Sequence, residues 1–245
     1  MRRLLFAAVV LATLCGAVVA DAAEIGASID SGRAATNVPL QPGAPLVDQQ
    51  HSLFEGTYCT LNFVFEDMPM PPTPQRPNPP PPKTYIGTSA NCTTHVGQRA
   101  MSPQIGLFGT VVFRDYSYPH FAMIAIDSDK LRYVSTVMRG YGRSPTGYTT
   151  SDETNAGDPL VTHGWPAGGT GPSGVTRYGV LAGDTPEGYT STVQPTMLDR
   201  GSPVMRVLDG KALGISNELY WPVAQRTVEG LLDLVGNAGF DVTLK

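Results

Sequence analysis

The 245-residue chain has little cysteine. It holds three, and Cys15 lies within the first 22 residues, which leaves Cys59 and Cys92 for the rest. That is too few for a thiolate-rich zinc site, and His51, His95, His120 and His163 are too widely separated to read as a ligand cluster. No metal or other cofactor is therefore expected. Basic side chains are also scarce. Seventeen Lys and Arg stand against 21 Asp and Glu, for a formal charge of -4. With no basic patch and no basic amphipathic segment, neither nucleic acid nor a membrane surface is an expected partner. The chain contains no internal repeat.

Long apolar runs are missing too. The longest candidate is at the start, where Arg2 and Arg3 precede the apolar stretch Leu4 to Leu14 and small residues follow. Asp21 and Glu24 come too soon after it for a membrane-spanning helix. Val18-Val19-Ala20 and Ala20-Asp21-Ala22 each fit a signal-peptidase site, so residues 1–22 read as a secretory signal. The bulky Leu14 before Cys15 argues against a lipid-anchored cysteine. Cleavage after Ala22 removes Arg2, Arg3 and Asp21, leaving 15 basic and 20 acidic residues and a formal charge of -5. The expected product is a secreted or envelope-associated soluble protein. In that compartment Cys59 and Cys92 are expected to pair, the alternative being two buried free thiols.

What is abundant is punctuation: 27 Gly and 22 Pro. Glu24–Ser52 is polar and without period, and residues 23–55 read as an extended N-terminal arm. From Tyr58 the pattern alternates, with Cys59, Leu61, Phe63 and Phe65 on one face, as in a half-buried strand. Residues 68–83 then form a proline-rich insertion, with nine prolines between Pro69 and Pro82. Proline cannot donate to a sheet ladder, so this is expected to be an exposed polyproline-like segment. It reads as a stiff spacer between strands, with docking to an aromatic groove of a partner as the alternative. Short apolar stretches follow at Thr84–Thr88, Ile105–Phe113, Phe121–Ile126, Tyr133–Arg139, Leu160–Gly164 and Val175–Ala182. Asp209-Gly210 between Val204–Leu208 and Lys211–Ile215 predicts a two-residue hairpin. Val228, Leu231, Leu232 and Val235 recur at helical steps, predicting one amphipathic helix over about Val223–Gly236. The fold class is all-β: an antiparallel barrel or sandwich.

Three segments carry the functional signal together: Thr88-Ser89-Ala90-Asn91-Cys92, His120-Phe121-Ala122-Met123-Ile124-Ala125-Ile126-Asp127, and Leu198-Asp199-Arg200-Gly201-Ser202-Pro203-Val204. In order, spacing and β context the set resembles the chymotrypsin/trypsin-like serine proteases, especially bacterial secreted members. The resemblance runs from about Gly56 to Leu244 and implies two packed antiparallel β-barrels with a C-terminal α-helix, in a domain spanning 56–245. It implies a Cys59–Cys92 disulfide beside the first motif. It also puts Asn91 where the family has its histidine base, His120 near the aspartate, and Arg200 at the nucleophilic serine. Leu198 stands where the family has the first glycine of the nucleophile loop.

An arginine offers only donors and cannot attack a carbonyl, and an amide cannot accept a proton as an imidazole does. The expectation is therefore a degenerate homologue that binds a protein or peptide, with no confident catalytic residue. Arg200 would then meet a carboxylate, a phosphate or an acidic peptide, or else fill the old site by pairing with Asp199 or Asp158. Two other readings stay open. One is an active hydrolase with a displaced pair such as Ser202 and His95, with Asp127, Asp129 or Asp158 as carboxylates. The other is an unrelated secreted β-domain with a structural role, in which Asp199–Pro203 is an ordinary turn. The Asn91-Cys92-Thr93 sequon reads as chance.

Overall fold

In the computed structural model the described residues are 38–47, 58–117, 120–165, 174–185, 188–193, 200–216 and 223–245, with only the backbone at 58 and 223–226. Among the described residues fourteen strands are formed: β1 (Pro45–Val47), β2 (Tyr58–Thr60), β3 (Val64–Asp67), β4 (Thr84–Thr88), β5 (Arg99–Ser102), β6 (Gly106–Asp115), β7 (Phe121–Ile126), β8 (Pro159–Gly164), β9 (Val175–Thr185), β10 (Gly188–Ser191), β11 (Ser202–Arg206), β12 (Ala212–Ser216), β13 (Val223–Thr227) and β14 (Val242–Leu244). A helix, α1 (Val228–Asn237), lies between the last two.

The strands build two units. The first is a six-stranded sheet in the order β14-β3-β4-β7-β6-β5, with the β1-β2 pair packed beside β5. The second is a closed barrel in the order β10-β13-β12-β11-β8-β9. Every ladder is antiparallel. Two packed antiparallel units with one C-terminal α-helix are the architecture expected from the sequence.

Three apolar clusters hold this together. Leu61, Val64, Ile86, Phe108, Val111 and Ile124 fill the first unit. Leu160, Leu181, Tyr189, Val204 and Leu213 fill the second. The third lies at the seam: Phe63, Phe65, Phe121 and Met123 meet Val161, Met205 and Ile215, with Val228, Leu231 and Val235 of α1. Alternation explains the division, because successive strand side chains point to opposite faces. In β7, Phe121 and Met123 face the seam while Ile124 faces the interior. α1 begins at Thr227, whose hydroxyl accepts from the Gly230 N–H at 3.1 Å.

Several local expectations need correction. The strand predicted from Tyr58 is broken into β2 and β3, and it is buried on both faces: Thr60 and Asn62 are as inaccessible as Leu61 and Phe63. The second unit reaches this face at Thr60, where the Trp165 backbone N–H donates to Thr60 Oγ1 at 3.2 Å, while Val64 packs in the core of the first unit. Tyr133–Arg139 is no ladder strand. It links the two units and bonds irregularly to the N-terminal segment, through Leu40 N to Tyr133 O, Ser135 N to Leu40 O and Arg139 N to Pro42 O.

The predicted helix starts late, because Val223–Thr227 is β13, paired to both β10 and β12. The Asp-Gly turn falls in place but is longer than two residues. Arg206 N bonds to Lys211 O, enclosing four residues, and the Arg206 guanidinium holds the Asp209 carboxylate at 2.5 Å. Residues 40–47, read as part of an arm, belong to the packed chain: Leu40, Ala44 and Leu46 sit in the first core. Residues 23–37 and 48–55 of the arm, His51 among them, and the segment 1–22 lie outside the described residues.

The proline-rich segment does lie between two strands and is exposed along its length. Its base is closed by Asp67. The Asp67 N–H donates to Lys83 O at 3.0 Å, and Asp67 Oδ2 accepts from Lys83 N at 3.1 Å. Tyr85 donates its hydroxyl to Asp67 Oδ1 at 2.7 Å, and burial with this partner pushes the phenol pKa well up.

Candidate functional site

Thr88 ends β4 and pairs with Ala122 near the start of β7. Asn91, three residues beyond Thr88, and His120, two before Ala122, therefore leave the sheet at the same rim. Asn91 lies in a one-turn 3-10 helix, Ala90–Cys92. Ser89 caps it: Ser89 Oγ accepts from the Asn91 N–H at 3.3 Å and Ser89 O from the Cys92 N–H at 3.0 Å. A disulfide joins Cys92 to Cys59 on β2. The pairing expected from the sequence is formed.

Arg114 of β6 clamps the same turn. Its Nε donates to Thr93 Oγ1 at 3.0 Å and to Ala90 O at 3.3 Å, and its Nη2 donates to Thr93 O at 2.5 Å. The guanidinium lies 3.6 Å from the Tyr116 ring centre, and Tyr116 meets His120 edge-to-face at 5.7 Å. Burial lowers the Arg114 pKa below its ordinary value.

The third segment approaches from the other unit. Arg200 immediately precedes β11 and is half-buried. Its carbonyl accepts from the Thr60 N–H at 3.0 Å and lies 3.9 Å from Cys92 Sγ. Gly201 follows with φ 86°, and its N–H donates to Ser216 O at 2.8 Å. A Cβ on Gly201 would fall 2.7 Å from both Ser89 N and Thr60 O. Glycine is therefore required twice here, for its conformation and for the close approach. The segments carrying Asn91, Arg200 and Ser216 converge on this one residue. Leu198 and Asp199 lie outside the described residues.

The remaining candidates are distributed elsewhere. Ser202 heads β11, is 1% exposed and pairs with Ser216. His95 is in an exposed loop with its Nδ1 2.8 Å from Thr94 Oγ1. Asp127 pairs with Arg99, Asp129 with Lys130 at 3.4 Å, and Asp158 with Arg206 at 3.2 Å. Asp158 is thus committed to another cation than Arg200. The Arg200 guanidinium makes no hydrogen bond or ion pair among the described residues. No group of three or more metal-ligating side chains occurs among them either.

Sequence reasoning did not single out Arg114 or Ser216, and it took His163 as one of four histidines too far apart to be a ligand cluster. His163 is buried at the seam, with Nδ1 2.8 Å from Thr176 Oγ1. Three glycines make room for it: a Cβ on Gly43, Gly140 or Gly174 would meet its ring at 3.0, 2.3 and 2.6 Å. Burial, then the charges of Arg139 and Arg177, lower its pKa from 6.5 to about 4. Trp165 stacks with Arg139 in the same cluster and donates its indole N–H to Gly43 O at 3.0 Å.

Two antiparallel β-units meeting at an apolar seam, a disulfide at the rim and a C-terminal helix define the trypsin-like serine protease fold. Among solved structures the chain is similar to a glutamic acid-specific serine protease described as using a novel histidine triad in substrate binding. The two share 13% identity over 84% of this chain and 100% of that one, with a TM-score of 0.52. At that identity the likeness establishes the scaffold and not the chemistry. The chain also aligns with Deg5 at 15% identity, over 62% of this chain and 66% of that one, with a TM-score of 0.39. No protein-family profile and no curated protein sequence matches the chain.

Proposed function

We propose that this is a secreted, catalytically degenerate homologue of the trypsin-like serine proteases that acts by binding a protein or peptide at the junction of its two β-units. The observation that carries the reading is the stitching of Arg200 to the first unit. Its carbonyl bonds to Thr60 beside the Cys59–Cys92 bridge, and Gly201 packs on Ser89. That is the register in which LDRGSPV aligns with the nucleophile loop, with arginine in place of serine. The chemistry of acyl transfer needs a hydroxyl nucleophile, an imidazole base and an orienting carboxylate. Arg200, Asn91 and His120 offer none of these roles in that order.

The displaced-nucleophile reading has less support. Ser202 is buried in strand β11, and the His95 ring is hydrogen-bonded to Thr94. Secretion rests on the leader-like residues 1–22, and a disulfide suits an oxidising compartment. No described helix is long and apolar enough to cross a membrane. The deciding test is a fluorophosphonate probe on the purified mature protein, read by intact mass, with Ser202→Ala alongside. No adduct on the folded wild type is the expected result. A stoichiometric adduct that disappears in Ser202→Ala would make this an enzyme with a relocated nucleophile.

A further inference from the structure

Where backbone groups from both units meet at Gly201, three polar side chains have no partner among the described residues. The Arg200 guanidinium makes no hydrogen bond or ion pair. The Asn91 carboxamide makes none either, since only its backbone N–H is engaged, by Ser89. The Ser216 hydroxyl is fully buried, in a residue 2% exposed, and has no hydrogen-bond partner. Ser216 O accepts from Gly201 N, Arg200 O lies beside Cys92, and Asn91 is bracketed by Ser89 and Cys92. The backbones that carry the three groups are thus one or two residues from a common point.

A buried hydroxyl without an acceptor is costly, and a half-buried guanidinium without an acid is an uncompensated positive charge. Among the described residues, Asp127, Asp129 and Asp158 are paired elsewhere and Asp115 accepts from the Ser117 N–H and hydroxyl, while Asp199 lies outside them. The other cation at the rim, Arg114, has no acid partner among the described residues and spends its donors on Ala90 and Thr93.

We infer that Arg200, Asn91 and Ser216 form an oxyanion-binding site for a peptide ligand. The inference rests on the peptide-binding reading above and names the group that enters. Guanidinium, amide and hydroxyl are all donors, and together they match a carboxylate or phosphate carried on a peptide. The amide carbonyl of Asn91 is left to accept from a backbone N–H of the same ligand. Nothing is transferred: a site that once would have built charge on a reacting carbonyl here takes a charge that the ligand brings with it.

The test uses the mature protein and capped five-residue alanine peptides whose central residue is glutamate, glutamine or phosphoserine. A fourth, all-alanine peptide has a free C-terminal carboxylate. The Arg200 Nε–H and Asn91 Nδ2–H resonances are followed by nitrogen-edited NMR at millimolar peptide. The glutamate peptide should shift both resonances, bind more weakly as salt is added, and lose about 10- to 100-fold in affinity in Arg200→Gln, the usual worth of a charged hydrogen bond. Arg200→Lys should fall between the two, since it keeps the charge and loses the fork. Melting temperatures of both variants check that the fold is retained.

The free-terminus and phosphoserine peptides separate side-chain, terminal and phosphate sources of the same oxyanion. Equal binding of the glutamate and glutamine peptides, unchanged in Arg200→Gln, would overturn the oxyanion site and leave peptide binding standing. No perturbation by any of the peptides would overturn the site outright, whereas a fluorophosphonate adduct would overturn the functional reading beneath it.

Discussion

His163 should make this protein acid-labile above the pH at which its carboxylates titrate. The imidazole is buried at the seam, with Thr176 on one side and a cage of three glycines that leaves no room for a water shell. Arg139 of the inter-unit segment and Arg177 of β9 both oppose a second positive charge. The folded-state pKa is about 4, against 6.5 for an ordinary histidine. Because the folded value is depressed, the unfolded chain binds the proton first. The stability contribution is complete above pH 6.5 and is lost as pH falls towards 4. Linkage then gives a loss of about 2 kcal/mol by pH 5 and about 3 kcal/mol by pH 4, with a limiting slope of about 1.4 kcal/mol per pH unit. For a domain of this size the pH 5 loss corresponds to a fall of roughly 4–8 °C in melting temperature. The assay is chemical denaturation followed by tryptophan fluorescence at pH 7.5, 6, 5 and 4.5, on wild type and His163→Gln. The variant should be less stable at neutral pH and much flatter between pH 7 and 5. Parallel slopes for the two proteins would refute the reasoning, because the proton uptake would then belong to other groups.

Three further outcomes are expected. Replacing both Cys59 and Cys92 by alanine opens a loop of 33 residues and should cost about 3–4 kcal/mol, read from denaturation midpoint and slope together, the slope rising as the unfolded chain expands. Gly201→Ala combines a left-handed backbone with contacts of 2.7 Å to backbone atoms of the other unit, and should cost roughly 2–5 kcal/mol. Gly236→Ala serves as its control: open space on α1 should make that change stabilising by about 0.5–1 kcal/mol, and loss of stability in both variants would count against the packing argument. Replacing Pro69–Pro82 by a short Gly-Ser turn should alter stability by no more than about 1 kcal/mol, since Asp67 and Lys83 close the hairpin beneath it. Failure of that variant to fold would mean that the proline segment supports the first unit.

Much of the architecture was legible because it rests on short-range rules. Strands β4, β7 and β8 lie where apolar stretches bounded by turn residues predicted them, and the Cys59–Cys92 pair is the one expected from the cysteine count and an expected oxidising compartment. The seam was not legible. Thr60 looks like part of the wet face of an alternating strand, and it is buried where Trp165, about a hundred residues further along in the second β-unit, bonds to it; Val64, on the same predicted face, turns instead into the core of the first unit. Val223–Thr227 fits a helical window as well as a strand, and its pairing with β10 and β12 decided the matter. Tyr133–Arg139 is apolar enough for a strand but meets the irregular Leu40–Pro42 segment and residues 143–144 through scattered bonds, so no ladder forms.

The candidate site divides in the same way. The residue types at 91, 120 and 200 are matters of sequence: an amide, an imidazole and a guanidinium, which in the alignment proposed above would stand in the places of base, carboxylate and nucleophile. What the tertiary structure decided is the company these residues keep. Asp158 is committed to Arg206, and Arg114 grips the turn that carries Asn91. The Ser216 hydroxyl is buried without a partner among the described residues, and Gly201 lets two β-units touch through their backbones. Such pairings join residues tens to more than a hundred positions apart, and local propensity carries no information about which distant groups will meet. Burial at the meeting point then sets the cost of every group left unpaired there.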